Sequence, residues 1–425
     1  MNTRITAALR PLTLALGLGF LTAPFAASQD LYVGGMNTFF SKGDAAVGNF
    51  VTLGACGGQI QSMTEDYQDL YIGDVGGRVY KHYGRPGQPF EGFTTYVFDS
   101  LNDATAILVH GGGLLVGGSD GSVHLVDKRD GTLIDSFTVG GAVGAMALVG
   151  NTLYVGSPSN QVFSVDIETG ASTLLGVCGG QVHSMTVDGD HLVLGTPHSV
   201  VYRMDVNTGF LQTAFNVPNS ASALVMHGGD LLCGGSDGTI HRMVPDTGLV
   251  LGTLSSSGHD VNAMVIGPDE NEPGFPYCFG ISCPCGNDDI LAGCGNSTGA
   301  GALMLGSGTA SVTQDDLKLH TGQMPANVFA IVYMSAIENE LSFGDGKLCT
   351  GNGYSIFRFP VRNSGPFGVI TEGPGIVDYA SQTFGPQGQI TPGSSWQFQI
   401  WYRNPSGPCG NTFNTSNGYT VSFGG

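Results

Sequence analysis

The sequence is poor in charged residues, in tryptophan and in helical hydrophobic patterns. Asp, Glu, Lys and Arg make up only 12% of the 425 residues, and both Trp lie near the C-terminus. After the first thirty residues, no segment places apolar residues at the i, i+3, i+4, i+7 spacing of an amphipathic helix. Gly is abundant, with 69 residues among many Val, Thr and Ser, which is typical of short strands and tight turns. The sequence therefore predicts an all-β protein, long enough for two domains.

Only one long apolar run occurs, at the N-terminus. Arg4 and Arg10 precede the run Leu12–Leu21, and small residues follow as far as Ser28. This order is typical of a bacterial secretory signal peptide over residues 1–28, and the run is too short to span a membrane. The alternative is an N-terminal helix of the fold. We therefore expect a secreted, periplasmic or cell-surface protein with no membrane span.

Positive charge is also scarce. The formal net charge is −19, and removal of residues 1–28, which carry two Arg and no acidic residue, makes it −21. Nucleic-acid phosphates need Lys and Arg to neutralise them, so this acidic balance argues against a nucleic-acid partner. It also disfavours adsorption to anionic lipid.

A short strand that ends in glycine recurs along the first part of the chain, beginning with Leu31-Tyr-Val-Gly34. We call these residues the marker glycines: Gly34, Gly73, Gly117, Gly156, Gly195 and Gly234, with spacings of 39, 44, 39, 39 and 39. A large apolar residue lies ten positions before five of them: Met63, Ile107, Met146, Met185 and Leu224. One more such strand, around Met264, lacks its glycine, and the first glycine lacks its upstream strand. The repeats predict a six-bladed β-propeller over residues 30–268, closed by a sixth blade built from both ends.

The six repeats also contain a longer repeat, of half the ring. The segment from Leu53 to Met63, which contains Cys56-Gly-Gly-Gln, repeats 122 residues later as Leu175 to Met185. The ring therefore resembles a duplicated half of three blades. The two Cys-Gly-Gly-Gln turns are predicted to face each other across its axis.

The inner strands supply the candidate ligand site. Two residues before each large apolar residue, the sequence places uncharged or weakly basic residues: Gln61, Thr105, Gly144, His183, Ser222 and Asn262. If these residues line one rim of the channel, they suit a small polar ligand or a sugar; the alternative is a hydrated channel without a ligand. His183 is the only titratable member and can be structural. The rim lacks the carboxylates that a calcium-dependent lactonase-type propeller needs, and we predict neither a metal nor a catalytic residue there.

The blades resemble those of quinoprotein-type and WD-repeat-type propellers. The turns Asp166-Ile-Glu-Thr-Gly170 and Asp205-Val-Asn-Thr-Gly209 are similar to the quinoprotein repeat. This resemblance implies the fold and says little about activity. Quinoprotein repeats usually end each blade with a docking Trp, and no Trp occurs before Trp396. We therefore predict no quinone cofactor.

Composition changes after an acidic, Pro-rich linker at residues 269–276. Residues 277–425 contain segments such as Phe343-Gly-Asp-Gly-Lys-Leu-Cys349 and Trp401-Tyr-Arg-Asn-Pro405. This part resembles a Gly- and Cys-rich C-terminal module of secreted bacterial proteins, which has no established activity. Alternation over Trp396, Phe398, Ile400 and Tyr402 predicts a half-buried strand, and similar runs favour a β-sandwich. The aromatic side chains of Trp396, Trp401 and Tyr402 either pack in the core or stack on sugars.

The nine cysteines fall into two groups. Six lie in the C-terminal part: Cys278, Cys283, Cys285, Cys294, Cys349 and Cys409. In an exported protein these favour disulfides over a zinc site, and Cys283 and Cys285 are too close in sequence to be partners. In the propeller, Cys56 and Cys178 either form a bridge or soft-metal site across the channel or fill crowded turns. Cys233 occupies a buried apolar position.

Two function classes remain open from the sequence. The first is a secreted, non-enzymatic binding or scaffold protein, in which the propeller holds a small polar ligand, a glycan or a protein and the C-terminal module serves surface association or assembly. The second is a propeller enzyme, either a lyase or hydrolase or a degenerate quinoprotein-type oxidoreductase. An uncharged channel rim favours the first class, whereas convergent carboxylates with a His would favour the second.

Overall fold

The computed structural model describes residues 29–67, 69–84, 92–254, 257–267, 272–352 and 355–425. The predicted signal peptide, residues 1–28, lies outside the described residues. The described chain forms two all-β parts, a ring of four-stranded sheets followed by a disulfide-linked β-sandwich. This architecture confirms the predicted fold class.

The propeller consists of six antiparallel four-stranded sheets. Five use consecutive strands, β4–β7, β8–β11, β12–β15, β16–β19 and β20–β23, and the sixth has the order β24-β1-β2-β3. The strands are β1 (Asp30–Gly34), β2 (Phe39–Asp44), β3 (Gly48–Ala55), β4 (Ile60–Asp66), β5 (Asp69–Asp74), β6 (Arg78–His82), β7 (Thr94–Asp99), β8 (Ala106–His110), β9 (Gly113–Gly117), β10 (Ser122–Asp127), β11 (Leu133–Thr138), β12 (Ala145–Val149), β13 (Thr152–Gly156), β14 (Gln161–Asp166), β15 (Ser172–Val177), β16 (Ser184–Asp188), β17 (His191–Gly195), β18 (Val200–Asp205), β19 (Leu211–Asn216), β20 (Ala223–His227), β21 (Asp230–Gly234), β22 (Ile240–Met243), β23 (Val250–Leu254) and β24 (Ala263–Ile266).

The sixth blade joins the two ends of the propeller segment, as the repeats predicted. Strand β1 pairs antiparallel with β24, and Val33 lies opposite Met264. Tyr32 and Val265 are the next pair in the same register. Because β24 supplies the inner strand and β1–β3 the outer three, the two incomplete repeats at the ends of the propeller segment together form one complete sheet.

The marker glycines lie where neighbouring blades pack against each other. A Cβ added to Gly34 would lie 2.7 Å from the Met63 sulfur of the next blade, and one added to Gly117 would lie 3.2 Å from the Met146 sulfur. At five of the six marker glycines the large apolar residue of the next inner strand lies against the glycine, and at Gly73 the nearest residue of the next blade is Ala104. The constant spacing in the sequence reflects this contact.

The C-terminal part contains three further sheets. A seven-stranded sheet has the order β25-β36-β34-β28-β31, with β32 paired to β28 and β35 to β34; a three-stranded sheet has the order β26-β27-β33, and β29 pairs with β30. The elements are β25 (Phe275–Tyr277), β26 (Leu303–Ser307), β27 (Lys318–Gly322), β28 (Phe329–Ser335), β29 (Glu338–Phe343), β30 (Gly346–Thr350), β31 (Phe357–Arg358), β32 (Arg362–Asn363), β33 (Ile370–Glu372), α1 (Ile376–Thr383), a 3-10 turn (Pro386–Gly388), β34 (Ser395–Arg403), β35 (Phe413–Thr415) and β36 (Gly418–Ser422).

One apolar core lies between the seven-stranded and the three-stranded sheets. Met304 and Leu319 contribute from the smaller sheet, and Phe398 and Ile400 from the larger. The helix α1, which the sequence analysis did not predict, closes one side of this core with Ile376. Its eight residues are too few for a helical periodicity to stand out. The strand β25 begins at Phe275, so the end of the predicted linker already belongs to the large sheet.

The strand β34 is buried on both faces, which corrects the prediction of a half-buried strand. Trp396, Phe398 and Ile400 point into the main core, as the alternation indicated. The intervening Gln399 is also fully buried. Its amide nitrogen donates hydrogen bonds to the carbonyl oxygens of Lys347 and Ser416. The hairpin β29–β30 packs on part of this second face of β34. The alternation of residues within one strand does not reveal an element that covers its other face.

Three disulfides connect the C-terminal part, as the sequence predicted for these six cysteines. The pairs are Cys278–Cys349, Cys283–Cys294 and Cys285–Cys409. Cys283 and Cys285 are not partners, in agreement with their close spacing. The pairs close segments of 71, 11 and 124 residues, so two of them connect distant parts of the domain.

The two parts of the chain contact each other at the second blade, β8–β11. The Gly112 amide donates a hydrogen bond to the Ile290 carbonyl oxygen at 2.7 Å, and the Ile290 side chain packs against the core of the blade. On the same side, Arg129 forms an ion pair with Glu340 of the C-terminal part. The sequence analysis did not predict this interface, because no repeat or motif marks these residues.

Candidate functional site

The six inner-strand positions predicted to form a rim lie together at one end of the propeller channel. Two adjoining cavities, of about 190 and 300 Å³, are both lined by Gln61, Thr105, Gly144, His183, Ser222 and Asn262. Each residue lies just before or at the start of the inner strand of its blade, so equivalent backbone positions converge on the axis. Gln61 and His183 are equivalent positions in the duplicated halves and therefore lie three blades apart.

Hydrogen bonds divide the rim residues into two groups. The Thr105 hydroxyl oxygen lies 2.8 Å from the carbonyl oxygens of Gly117 and Val143, and the Ser222 hydroxyl donates to Ser220 at 2.9 Å. These two hydroxyls are thus used within the fold.

The other polar rim side chains are free for a ligand. Within the described residues, the side chains of Gln61, His183 and Asn262 have no hydrogen-bond partner. An amide offers two N–H donors and a carbonyl acceptor, and a neutral imidazole offers one donor and one acceptor. The rim therefore presents uncharged donors and acceptors to the cavity.

The pKa of His183 is lowered from its ordinary value. Partial burial disfavours the imidazolium form, and the nearby His198 adds a smaller effect in the same direction. His183 is therefore neutral at neutral pH and gains its charge only in more acidic solution.

The outer cavity has further walls that the sequence analysis missed. Met36, Ser119, Val143, Pro158 and Pro197 line it together with the rim. Met36, Ser119, Pro158 and Pro197 each follow a marker glycine by two residues, so the same periodicity could have identified them. They make the outer wall partly apolar, next to the polar rim.

No Asp, Glu, Lys, Arg or Cys side chain lines either cavity in the part of the chain that the structure describes. Over the same residues, no cluster of three or more His, Cys, Asp and Glu is placed to hold a metal ion. Among these described lining residues, no charged group is present to orient His183 for proton transfer.

The propeller cysteines are free thiols, and burial dominates their chemistry. Burial raises the pKa of Cys56 to about 12, with a smaller contribution from Asp74. Burial also raises the pKa of Cys178, and it raises that of Cys233 to about 12. Neither Cys56 nor Cys178 is bridged. All three are protonated at neutral pH, as expected of thiols that fill packed positions.

Two further histidines, His110 and His227, lie at equivalent positions of the duplicated half-rings and are structural. His110 and His227 end equivalent inner strands, where they lie opposite Gly113 and Asp230. Both are buried, and burial lowers the pKa of each. Their repetition follows from the duplicated half-ring.

The three C-terminal aromatic residues have different surroundings. Trp396 and Tyr402 belong to the main core of the sandwich, in agreement with the core-packing interpretation. Trp401 lies on the other face of the large sheet and lines a separate pocket.

In the described part of the chain, no helix has the length and apolar character needed to cross a bilayer.

A comparison with protein families agrees with the propeller. Residues 103–265, less than half of the chain, match the PQQ_2 family, described as outer membrane protein assembly factor BamB. No curated protein matches the chain. The crystal structure of the WD40 beta propeller domain of Doa1 is similar at 12% identity and a TM-score of 0.44, covering 58% of this chain and 88% of that one. The family match confirms that the propeller is similar to the quinoprotein type.

Proposed function

We propose that this chain is a binding protein that acts outside the cytoplasm and holds a small, neutral, hydrogen-bonding ligand at the mouth of its propeller channel. The observation that carries the proposal is the set of free polar side chains of Gln61, His183 and Asn262 at the rim. Gln61 and His183 are exposed and Asn262 is half-buried, so water can hydrogen-bond to these groups in the free protein, and a ligand with matching donors and acceptors can take the place of that water.

The chemistry of the rim favours a neutral ligand over a charged one. Amide and imidazole groups can donate to and accept from hydroxyl groups. With no charged side chain among the described lining residues, an ionic ligand would lose its hydration without gaining a counter-charge. A sugar or another polyol fits these donors and acceptors, and the apolar walls at Met36, Pro158 and Pro197 can contact its C–H faces.

The same rim supports binding rather than catalysis. A hydrolase or lyase needs a group that takes a proton and a second that stabilises developing charge. His183 alone supplies only the first. The description of the matched family as an assembly factor is compatible with a non-enzymatic role for the propeller.

Location outside the cytoplasm rests on two features. Residues 1–28 have the order of a secretory signal, and the C-terminal part contains three disulfides, which persist in oxidising compartments. In this proposal, the C-terminal sandwich attaches the propeller to a surface or to an assembly.

The experiment is a binding screen with the full secreted chain and a panel of neutral mono- and disaccharides. We expect at least one sugar to raise the unfolding temperature, because a ligand that binds only the folded state stabilises it. The variant Gln61→Leu/Asn262→Leu is expected to weaken calorimetric binding about tenfold or more, since each lost hydrogen bond is worth about 1 kcal/mol. Asn216→Leu, at an exposed position on the outer strand β19, is the matched control.

A pH series tests the part played by His183. Its pKa is lowered in the folded protein, so the neutral form persists below pH 6.5 before protonation removes the acceptor. We expect constant affinity from pH 8 to about pH 6.5 and weaker binding at lower pH. Unchanged binding in the Gln61→Leu/Asn262→Leu variant, absence of binding by every sugar, or conversion of a bound sugar to product would contradict the proposal.

A further inference from the structure

A second pocket lies in the C-terminal sandwich, on the face of the seven-stranded sheet opposite the main core. Its volume is about 260 Å³. It is lined by Ile331, Tyr333, Phe343, Leu348, Ile356, Arg358 and Trp401. All but Arg358 are aliphatic or aromatic, so the pocket combines an apolar interior with one cationic group.

The strand pattern explains how the pocket forms. In β28, Ala330, Val332 and Met334 enter the main core, so Ile331 and Tyr333 point to the other face. Trp401 of β34 lies opposite Ile331 in the same sheet. The whole segment from Phe329 to Met334 is apolar, which is the signal of a strand with two covered faces.

The hairpin β29–β30 covers this second face only in part. Phe343 and Leu348 line the pocket from the hairpin, and Phe343 remains 38% exposed, with Leu341 59% exposed beside it. Phe343 and Trp401 both contact the ring of Phe413. The result is an aromatic wall that solvent can reach.

The arginines at this pocket differ from most cations of the chain. Of the twelve Lys and Arg side chains that the structure describes, nine form ion pairs with Asp or Glu. The three others are Lys318, Arg358 and Arg403. Arg358 lines the pocket, and the Arg403 guanidinium lies 5.3 Å from the centre of the Trp401 ring. In a protein of net charge −19, one of the three cations without an ion pair among the described residues thus lines an apolar pocket, and a second lies over the ring of its Trp401.

We propose that this pocket binds a small carboxylate with an alkyl chain, of the fatty-acid class. The chain would lie among Ile331, Leu348 and Ile356, and the carboxylate would accept hydrogen bonds from the Arg358 guanidinium. An arginine presents two parallel N–H groups that match both oxygens of a carboxylate. The lining, with one charged group at an apolar cavity, has the usual composition of a small-ligand site. The pocket is separate from the propeller channel and does not depend on the function proposed for it.

Tryptophan fluorescence provides a direct measurement with the full chain. The chain contains only two Trp; Trp401 lines the pocket, whereas Trp396 is 5% exposed in the main core. We expect octanoate to change the emission in a saturable way and octanamide, its uncharged counterpart, to bind about tenfold more weakly. Hexanoate, which is shorter by two CH₂ groups, should also bind roughly fifteenfold more weakly than octanoate, because each buried CH₂ contributes about a fourfold change in affinity.

Variants identify the cationic group. Arg358→Gln is expected to weaken octanoate binding about tenfold, the loss of one charge-assisted hydrogen-bonded pair, and to leave octanamide binding unchanged. Lys318→Gln is the matched control, because it removes another cation without an ion pair, on strand β27 outside the pocket. Trp396→Phe should retain the fluorescence response.

Three results would overturn the proposal. The first is no octanoate-dependent change in emission at any concentration below micelle formation. The second is equal affinity for octanoate and octanamide, and the third is equal weakening of octanoate binding by Arg358→Gln and Lys318→Gln. The last result would indicate a general effect of net charge instead of a site at Arg358.

Discussion

Gly195→Ala is expected to lower the free energy of unfolding of the propeller by about 3 kcal/mol, at the upper end of the usual cost of overpacking. A Cβ at this marker glycine would overlap the Ser184 hydroxyl and the Ala221 carbonyl oxygen and would lie 3.0 Å from the Leu224 side chain. The Ser184 hydroxyl also donates a hydrogen bond to the Ala221 carbonyl oxygen of the next blade at 2.8 Å. The new methyl group would therefore separate the donor and the acceptor of a hydrogen bond that connects two blades. Backbone atoms on one side leave little room for relaxation.

The measurement is urea unfolding followed by far-ultraviolet circular dichroism. Gly252→Ala is the control, because Gly252 lies on the outermost strand β23 and a Cβ there would meet no atom within 4 Å. We expect this control to change stability by less than about 1 kcal/mol, through the reduced entropy of the unfolded chain. Equal stability of the Gly195→Ala variant and the parent chain would show that blade packing does not require the marker glycines.

Loss of the Cys285–Cys409 disulfide is expected to destabilise the C-terminal sandwich by up to about 5 kcal/mol, and loss of Cys283–Cys294 by about 3 kcal/mol. The difference arises because the first closes a segment of 124 residues and the second one of 11. A longer cross-linked loop removes more conformational freedom from the unfolded chain.

Trp fluorescence reports this transition separately from the propeller, since Trp396 and Trp401 are the only Trp and both lie in the sandwich. The double variants Cys285→Ala/Cys409→Ala and Cys283→Ala/Cys294→Ala serve as controls for each other in urea unfolding. A larger loss from the short loop would contradict the entropic explanation and would place the stabilisation in local packing.

The propeller could be predicted from the sequence because its contacts repeat. Each marker glycine contacts the inner strand of the next blade or the residues that lead into it, so one packing requirement recurs at nearly fixed spacing. The closing pair Val33–Met264 followed from two incomplete repeats, since each lacked what the other supplied. The rim positions followed from the same register, and the structure places them around common cavities.

Side-chain hydrogen bonding at the rim could not be predicted in this way. Thr105 and Asn262 occupy equivalent positions, yet the Thr105 hydroxyl lies against Gly117 and Val143, while the Asn262 amide has no hydrogen-bond partner among the described residues. Whether a polar side chain turns inward depends on the exact position of the nearest carbonyl oxygen. That position is a property of the folded ring.

The C-terminal sandwich was predictable only as a fold class. Its strands pair over long sequence separations: Phe275 of β25 lies opposite Thr420 of β36. Such pairings leave no periodic signal, and six cysteines alone allow many connectivities. The pocket at Trp401 depends on the second covered face of the large sheet, which alternation along β34 alone does not reveal.

Closure of the ring by β1 and β24 is the central claim, and a cysteine cross-link tests it most directly. In a full-length background with Cys56, Cys178 and Cys233 replaced by Ala, the pair Val33→Cys/Met264→Cys places two thiols at directly opposite positions of neighbouring strands. We expect mild oxidation to form this disulfide in the folded protein, detected as a linked peptide by mass spectrometry. The control pair Val33→Cys/Met146→Cys should remain reduced, because Met146 belongs to the inner strand of a different blade. Absence of the first cross-link, or equal formation of both, would contradict the closed six-bladed ring.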